Sequence, residues 1–384
     1  MGLFFVVFFL VYGGLHYYVF LKAWQAFRFP WGIGIFIGFV FVVMIMSPVL
    51  VRFLERGGHE IAARFMAYSG YCWLGFIFFF FTISISFDVL RLLAYMTSVM
   101  AKIDFSSFIS AYRFFFLFTL VCSVLLVAYS YREAGDIRIE TFRIESNKIS
   151  KETGKITIAQ ISDVHLGLIV REDRLNKIVG LIKKANPDIL VSTGDLVDGD
   201  IDKINGLVDL LKNIEPPYGK YAVMGNHEFY AGIDNSLDFH DKTGFKMLRG
   251  EGLTVRDVVN IAGVDDQAGS YFKAKDIPEK VVLSGLPRHL FTVLLKHRPV
   301  IDKDALGLFD LQLSGHTHKG QIYPFRYLTK LAFPLYTGYH ELSKNTHLYV
   351  SRGSGTWGPP IRFLAPPEVT VIELISDTGS AKEK

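Results

Sequence analysis

The stretch Asp188-Ile-Leu-Val-Ser-Thr-Gly-Asp-Leu-Val-Asp-Gly199 decides how the chain is read. Ile189 to Val191 is a short apolar run of the kind that forms a buried parallel strand. It leads into Gly194-Asp195, where the backbone turns and presents a carboxylate at the strand's carboxyl end, the place where ligands bind in open α/β sheets. Gly-Asp after a strand is also ordinary turn chemistry. Four further stretches place metal-ligating residue types at comparable strand ends: Asp163-Val-His165, Gly225-Asn-His-Glu228, His297 in Leu294-Leu-Lys-His-Arg-Pro299, and Gly315-His-Thr-His318.

Working outward, Lys155–Asp163 reads as a strand that delivers Asp163 and His165 to its end. Glu172–Ala185 has helical periodicity, with Leu175, Ile178, Val179 and Ile182 on one face, and Asn186-Pro187 stops it. A second helix is expected over Lys203–Ile214, before Pro216-Pro217. Tyr218–Met224 is a strand ending at Asn226-His227, and Ser236–Thr243 suits a helix. Val258–Val264, Leu290–Leu295 and Asp310–Leu313 are further strands, and Ile137–Ile144 reads as an edge strand. Thr346–Ser351 and Glu368–Ile375 complete the set, with an antiparallel character. Strands alternate with helices early and dominate late, which suits two packed mixed sheets flanked by helices.

Toward the N-terminus the composition changes. The first 131 residues hold four nearly uncharged segments long enough to cross about 30 Å of hydrocarbon as helices. They are Gly2–Leu21, Trp31–Val51, Ala67–Phe87 and Phe114–Tyr131, and Asp88–Met100 reads as a separate interfacial or loop helix. The first lacks the basic flank and cleavage site of a signal peptide. Tyr12, Tyr17, Tyr18, Trp24 and Trp31 suggest an aromatic belt. His16 and His59 have no ligand-spaced partners. Arg52, Arg56, Arg64, Arg132, Arg138 and Arg143 lie on one side of such a topology, against Lys22, Arg28, Arg91, Lys102 and Arg113 on the other. Six cations against five is a slight preference for a cytoplasmic C-terminal domain. The expected organisation is a membrane region 1–131, a linker and edge strand 132–154, a catalytic domain 155–376 and a solvated tail 377–384.

Several classes are excluded or disfavoured. Cys72 and Cys122 both lie in apolar segments, so there is no disulfide framework. The net charge of +4 comes without a Lys/Arg run, so no nucleic acid is expected as a partner. The apolar segments lack the mid-span charges of a transporter.

Asp163, Asp195, Asn226 and the four histidines His165, His297, His316 and His318 could ligate metal, and His227 is left over. Such a mixed N/O set suits Mn²⁺, Fe, Zn²⁺ or Co²⁺ better than Ca²⁺. One carboxylate can bridge two cations about 3.5–4 Å apart, an arrangement that activates water and clamps the oxygens of a phosphoryl displacement. Each stretch alone has an ordinary structural reading, such as a helix cap or a satisfied core histidine. The two histidines of Gly315-His-Thr-His318 carry the sharpest signal.

The order Asp-x-His, Gly-Asp-x-x-Asp, Gly-Asn-His-Glu, a lone His after a strand and Gly-His-x-His resembles the calcineurin-like metallophosphoesterase superfamily. Arg352-Gly-Ser-Gly-Thr-Trp-Gly-Pro-Pro-Ile-Arg362 and Ala365-Pro-Pro-Glu368 are similar to its membrane-associated bacterial branch, which includes the YkuE- and YaeI-like phosphoesterases. The resemblance covers about residues 137–375. It implies a four-layer αββα sandwich, here following a four-helix transmembrane region. It also implies two divalent metal ions, with Mn²⁺ favoured. The first would be held by Asp163, His165, Asp195 and His318, the second by Asn226, His297 and His316, with Asp195 bridging. His227 would act beside the leaving group, oriented by Asp198, and Asn226 would help hold the phosphoryl oxygens.

The expected function is therefore a membrane-anchored phosphoesterase using a metal-bridged hydroxide, with diesters or pyrophosphates preferred over monoesters. A lipid-linked substrate, such as a nucleotide-activated glycolipid or a glycerophospholipid, is one reading. A general phosphoesterase merely tethered to the membrane is the other, and a catalytically weak receptor or scaffold is a third. Phe325, Tyr327, Leu328, Leu331, Phe333 and Leu335 would favour the lipid if exposed, and core packing is their alternative. Lys319, where this branch often has glycine, either contacts a substrate phosphate or is solvated, and Arg298 either contacts phosphate or pairs with a nearby carboxylate. Trp357 is expected to pack under the site.

Overall fold

The computed structural model describes residues 2–199 and 201–377. Their contacts form two units, one running through Arg132 with Gly358–Ile361, the other Glu133–Trp357 with the residues from Arg362 onward. The 377–384 tail lies outside the described residues beyond Asp377.

The first unit is helical: Gly2–Phe27, Trp31–Ile45, Ser47–Arg56, Glu60–Ala101 and Tyr112–Ala134, with a short turn of helix at Ser106–Ile109. Three helices are long and apolar enough to cross a membrane, or four if the bent pair Trp31–Ile45 and Ser47–Arg56 is one span. Two expectations are corrected here. Asp88–Met100 is no separate helix but the continuation of a 42-residue helix that begins at Glu60. The segment expected as one helix, Trp31–Val51, is two helices that bend by 55° around Met46, next to Pro48, whose ring interrupts helical hydrogen bonding. His16 is a packing residue. Its Nδ1 lies 2.8 Å from the Tyr12 carbonyl, and Trp73 donates to its Nε2 at 2.9 Å.

The second unit contains twelve strands. They are β1 Arg138–Ser146, β2 Lys155–Ile161, β3 Ile189–Ser192, β4 Lys220–Ala222, β5 Lys246–Met247 and β6 Glu251–Val255. Then follow β7 Val259–Gly263, β8 Phe291–Leu295, β9 Leu311–Ser314, β10 Gly338–Ser343, β11 Thr346–Val350 and β12 Glu368–Ser376. They form two six-stranded sheets, ordered β1-β12-β2-β3-β4-β5 and β10-β11-β9-β8-β7-β6. The β2-β3-β4 and β7-β8-β9 centres are parallel, so their carboxyl ends point the same way within each sheet.

The alternation of strand side chains builds the layers. Ile156 and Ile158 of β2 meet Val293 and Leu295 of β8 in the core between the sheets. Ala159 and Ile161 point to the other face, where Leu175, Ile178 and Ile182 of the helix Glu172–Ala185 cover them. Ala262 and Leu294 of the second sheet are covered by Val282 and Leu283. Helix, sheet, sheet, helix is a four-layer sandwich. The Glu172–Ala185 helix follows its sequence closely. Glu172 and Asp173 open it, Lys183 and Lys184 close it, and Asn186 takes the left-handed cap at φ 44°. Burying its apolar face contributes roughly 1.5–3 kcal/mol per large side chain.

The expected Lys203–Ile214 helix is instead a 3₁₀ turn, Ile201–Leu207, followed by the short helix Val208–Lys212. Strands β5, β6 and β10 carry too little apolar periodicity to be read from sequence. Strand β11 is parallel to β9, so only its β10 pairing is antiparallel.

In the second unit, the buried histidine His240 lies away from the strand ends that carry the candidate donors. His240 is fully buried, its Nδ1 is 2.7 Å from the Ser236 carbonyl and its Nε2 has no partner. Burial pushes its pKa down from 6.5 to about 4. The unfolded chain therefore binds the proton first, and stability present above pH 6.5 is lost as pH falls toward 4. The slope is about 1.4 kcal/mol per pH unit for one proton. His240→Gln should remove one proton's worth of that slope in denaturant titrations of the full chain between pH 6.5 and 4.5. An unchanged slope would refute the assignment.

Candidate metal centre

Each candidate donor sits in the first residues after a strand, where the chain leaves the ladder. Asp163 and His165 follow β2, Asp195 follows β3, Asn226 follows β4, His297 follows β8, and His316 and His318 follow β9. Asp163, His165, Asp195, His316 and His318 all have positive φ, between 48° and 71°. For residues with a Cβ this conformation costs on the order of 1 kcal/mol or more each, and such strain persists where the surroundings over-determine it. Close backbone approach explains two glycines. A Cβ on Gly225 would lie 2.2 Å from Asp195 Oδ1, and one on Gly194, itself at φ 95°, would lie 2.6 Å from the Gly225 nitrogen.

The side chains converge on Asp195. On one side, His165 Nε2 is 3.8 Å from Asp195 Oδ2 and 3.2 Å from His318 Nε2, which is 3.5 Å from Asp163 Oδ1. On the other, His297 Nε2 is 3.3 Å from Asp195 Oδ2, 3.2 Å from Asn226 Oδ1 and 3.1 Å from His316 Nδ1. The donor atoms of Asp163, His165 and His318 lie within 4.8 Å of one another, as do those of Asp195, His297 and His316. His165, Asp195 and His227 form a third such group, so proximity alone does not set His227 apart.

The surroundings hold these groups in place. The His316 N–H donates to both Asp163 oxygens at 3.0 Å, and the His227 N–H to Asp195 Oδ1 at 2.8 Å. His297 Nδ1 faces the Thr193 carbonyl at 2.9 Å, which turns Nε2 toward Asp195. His227 Nδ1 lies 2.9 Å from Asp198 Oδ1, a contact that fixes the orientation of the ring. Tyr230 and Trp357 stand edge-on beside the His227 ring, at centroid distances of 5.5 and 6.0 Å.

These residues fit divalent cations. Two buried carboxylates lie among imidazoles whose nitrogens face one another at hydrogen-bond distance, with oxygen and nitrogen donors and no thiol. Burial, with Asp195 nearby, pushes Asp163 up to about 6. Burial pushes His165 down to about 4 and His316 to about 2, keeping them neutral as ligands require. Burial works against protonation of His297 and His227 as well, yet Asp195, joined by Asp198 at His227, raises them to about 10 and about 9. A proton on His297 thus does for Asp195 what a cation would do.

Two residues with structural claims on the site went unassigned in the sequence. The buried carboxylate of Glu228 accepts from the backbone N–H groups of Asp195, Leu196 and Gly225 at 2.7–2.8 Å, and so shapes the Asp195 turn. Its position three residues after Gly225, a helix-capping spacing, was the available signal. Arg362 is fully buried. Its guanidinium donates to the carbonyls of Arg352, Gly355 and Ala365 and, at 2.9 Å, to His318 Nδ1. Arg362→Gln should lower divalent-metal affinity about 10–100-fold, the usual effect of losing a group that orients a ligand. Calorimetric Mn²⁺ titration of metal-stripped full-length chain measures this, and unaltered affinity would show that the contact orients nothing.

Other expectations resolve plainly. Trp357 does not pack under the site; it is 52% exposed, and the Gln321 side chain holds its backbone by two hydrogen bonds. Arg298 pairs with buried Asp266 at 2.7 Å. Lys319 is half-buried, and burial together with Arg352 and Arg326 lowers its ammonium pKa.

A fold of two mixed sheets with Asp, Asn and His gathered at the strand ends defines a metallophosphoesterase. The chain matches the Calcineurin-like phosphoesterase family over residues 156–320. It is 41% identical over 254 residues to a metallophosphoesterase of Aquifex aeolicus, covering 66% of this chain and 97% of that one. The chain belongs to this family, whose fold binds divalent metals. Metallophosphoesterase YkuE of Bacillus subtilis is 33% identical over 261 residues, 64% of this chain and 88% of its own length. A "Transmembrane protein with metallophosphoesterase domain" of Danio rerio is 28% identical over 267 residues, 66% of this chain and 61% of that protein.

Proposed function

We propose that the chain is a membrane-anchored phosphoesterase that holds two divalent cations, Mn²⁺ favoured, and hydrolyses phosphodiester or pyrophosphate bonds. The observation that carries the reading is the position of Asp195 between two sets of buried donors. Asp163, His165 and His318 would hold one cation, and Asn226, His297 and His316 the other, with Asp195 shared. Bound there, the cations would supply an activated water and neutralise the phosphoryl oxygens.

The chain's own residues do the rest. The Asn226 amide, at the start of the helix Asn226–Ala231, would hold a phosphoryl oxygen. As oxygen from water adds to phosphorus, the bond to the leaving oxygen breaks, and that oxygen takes a proton from His227 Nε2. Asp198 accepts the hydrogen bond from Nδ1 and keeps the ring turned to the leaving group. The proton released by the attacking water restores His227 after product leaves. No covalent intermediate is required.

Exposed Tyr230 and Trp357 beside His227 support a leaving group with a flat or apolar part rather than a bare phosphate. A lipid-linked substrate is therefore favoured over a general phosphoester. The slight excess of loop cations, six against five, supports a cytoplasmic catalytic domain. The test is turnover by purified full-length chain of a chromogenic diester and monoester with Mn²⁺, against Asp195→Asn. Diester cleavage absent from that variant is expected; equal rates in both proteins would refute the reading.

A further inference from the structure

The loop that carries His316 and His318 continues into a short helix, Arg326–Ala332, in which no residue is buried. Phe325, Tyr327, Leu328 and Leu331 are 48%, 53%, 58% and 81% exposed. A contiguous apolar surface of this kind on a folded domain marks a place where something binds. It is joined to the metal centre at both ends of the loop. The Phe333 ring meets the His316 ring at 5.3 Å, and the Thr317 hydroxyl donates to the Tyr336 carbonyl at 2.6 Å.

The chemistry of the surface selects its occupant. From Lys319 to Tyr336 the sequence contains Lys319, Arg326 and Lys330 and no acidic residue. The Arg326 guanidinium lies 4.7 and 5.2 Å from the Tyr323 and Tyr327 rings. Exposed leucines among tyrosines and cations make up a segment that lies in the interface of an anionic bilayer. A rim of cations without an acidic residue complements the negative headgroups of an anionic leaflet.

We infer that Tyr323–Leu335 seats on an anionic membrane surface and brings the metal centre to the headgroup layer. The consequence for catalysis rests on the hydrolase reading above: the substrate is a phosphoester drawn from that layer, its apolar part remaining in lipid. The contact itself does not depend on turnover.

The experiment uses the full-length chain with Cys72→Ser and Cys122→Ser, in nanodiscs of mixed anionic and zwitterionic phospholipid. A nitroxide is attached at Leu331→Cys and, in a second protein, at Leu328→Cys. Val281→Cys serves as the solvent reference, because Val281 is 63% exposed on the separate helix Glu279–Ser284. Power-saturation spectra then compare accessibility to oxygen and to a water-soluble nickel chelate. Oxygen accessibility exceeding that of nickel at 328 and 331, reversed at 281, is the expected result. Nickel accessibility at 328 and 331 equal to that at 281 would place the helix in water and overturn the inference. Exclusion of both reagents would mean that the helix is packed against protein, within this chain or a second copy, which overturns it equally. Loss of hydrolase activity with labels still in lipid would count against the catalytic reading and leave the contact standing.

Discussion

Asp195→Asn should lower turnover at least about 1,000-fold, the equivalent of roughly 4 kcal/mol of transition-state stabilisation. The reason is the number of tasks on one side chain. Oδ1 accepts the His227 N–H at 2.8 Å, and Oδ2 faces His297 and His165 at 3.3 and 3.8 Å. An asparagine keeps the size and one acceptor, so the turn held by Glu228 survives. It loses the negative charge and presents N–H donors to imidazole nitrogens or to cations. Elemental analysis of the purified variant should find fewer than two metal equivalents, with an unfolding transition close to that of the parent. Two retained equivalents together with parental rates would remove Asp195 from the centre of the mechanism.

The charge balance makes the same point from the other side. Burial raises the Asp163 pKa, but Asp195 is held well below the usual carboxylate range, because His297 and His227 outweigh its burial. A pocket that keeps one carboxylate ionised this deep requires positive charge beside it. Either protonated histidines or bound cations can supply that charge, and only cations leave His297 with a lone pair to donate, as His316 already has.

Much of this was legible in the chain because ligand-bearing turns follow strands that are themselves easy to read. Ile189–Val191 is apolar without interruption, Ile156, Ile158, Ala159 and Ile161 make most of the β2 strand apolar, and Asp163 and Asp195 come within a few residues of the two ends. The convergence of five distant turns is a property of sheet order, not of any local pattern, so only resemblance could anticipate it. Local signals failed where tertiary contacts decide. Strands β5 and β10 have no buried residue, so no apolar alternation marks them. Asp88 looks like the end of a span, yet Lys22 lies 2.5 Å away and Tyr18 donates to it at 2.7 Å. With the charge satisfied by another helix, Glu60–Ala101 runs on. Arg362 stands in the sequence only as the end of the Arg352–Arg362 stretch, and the structure surrounds its guanidinium with three backbone carbonyls and a histidine. Trp357 reads as a packing residue: a large aromatic between glycines and prolines suggests a core wedge, but its ring stands open beside His227.

That open ring bears on the second large effect. His227→Gln should lower kcat by about 10²–10⁴-fold for esters of poorly acidic alcohols, the range associated with losing a positioned acid. The backbone N–H to Asp195 remains, since it belongs to the main chain, and the metal content should stay at the parental level. What distinguishes an acid from a ligand or a packing group is how the loss depends on the leaving group. For a nitrophenyl ester, whose oxygen departs with little need of a proton, the deficit should shrink by at least about tenfold relative to an alkyl ester. Asp198→Asn should show the same leaving-group trend at smaller amplitude, because it orients the ring across 2.9 Å without touching the reacting atoms. Steady-state rates for a paired series of aryl and alkyl diesters, with metal content measured on each preparation, provide the comparison. If the deficit is uniform across leaving groups and metal is lost, His227 is a ligand, as its membership in the third donor group with His165 and Asp195 would allow, and the proton must come from elsewhere.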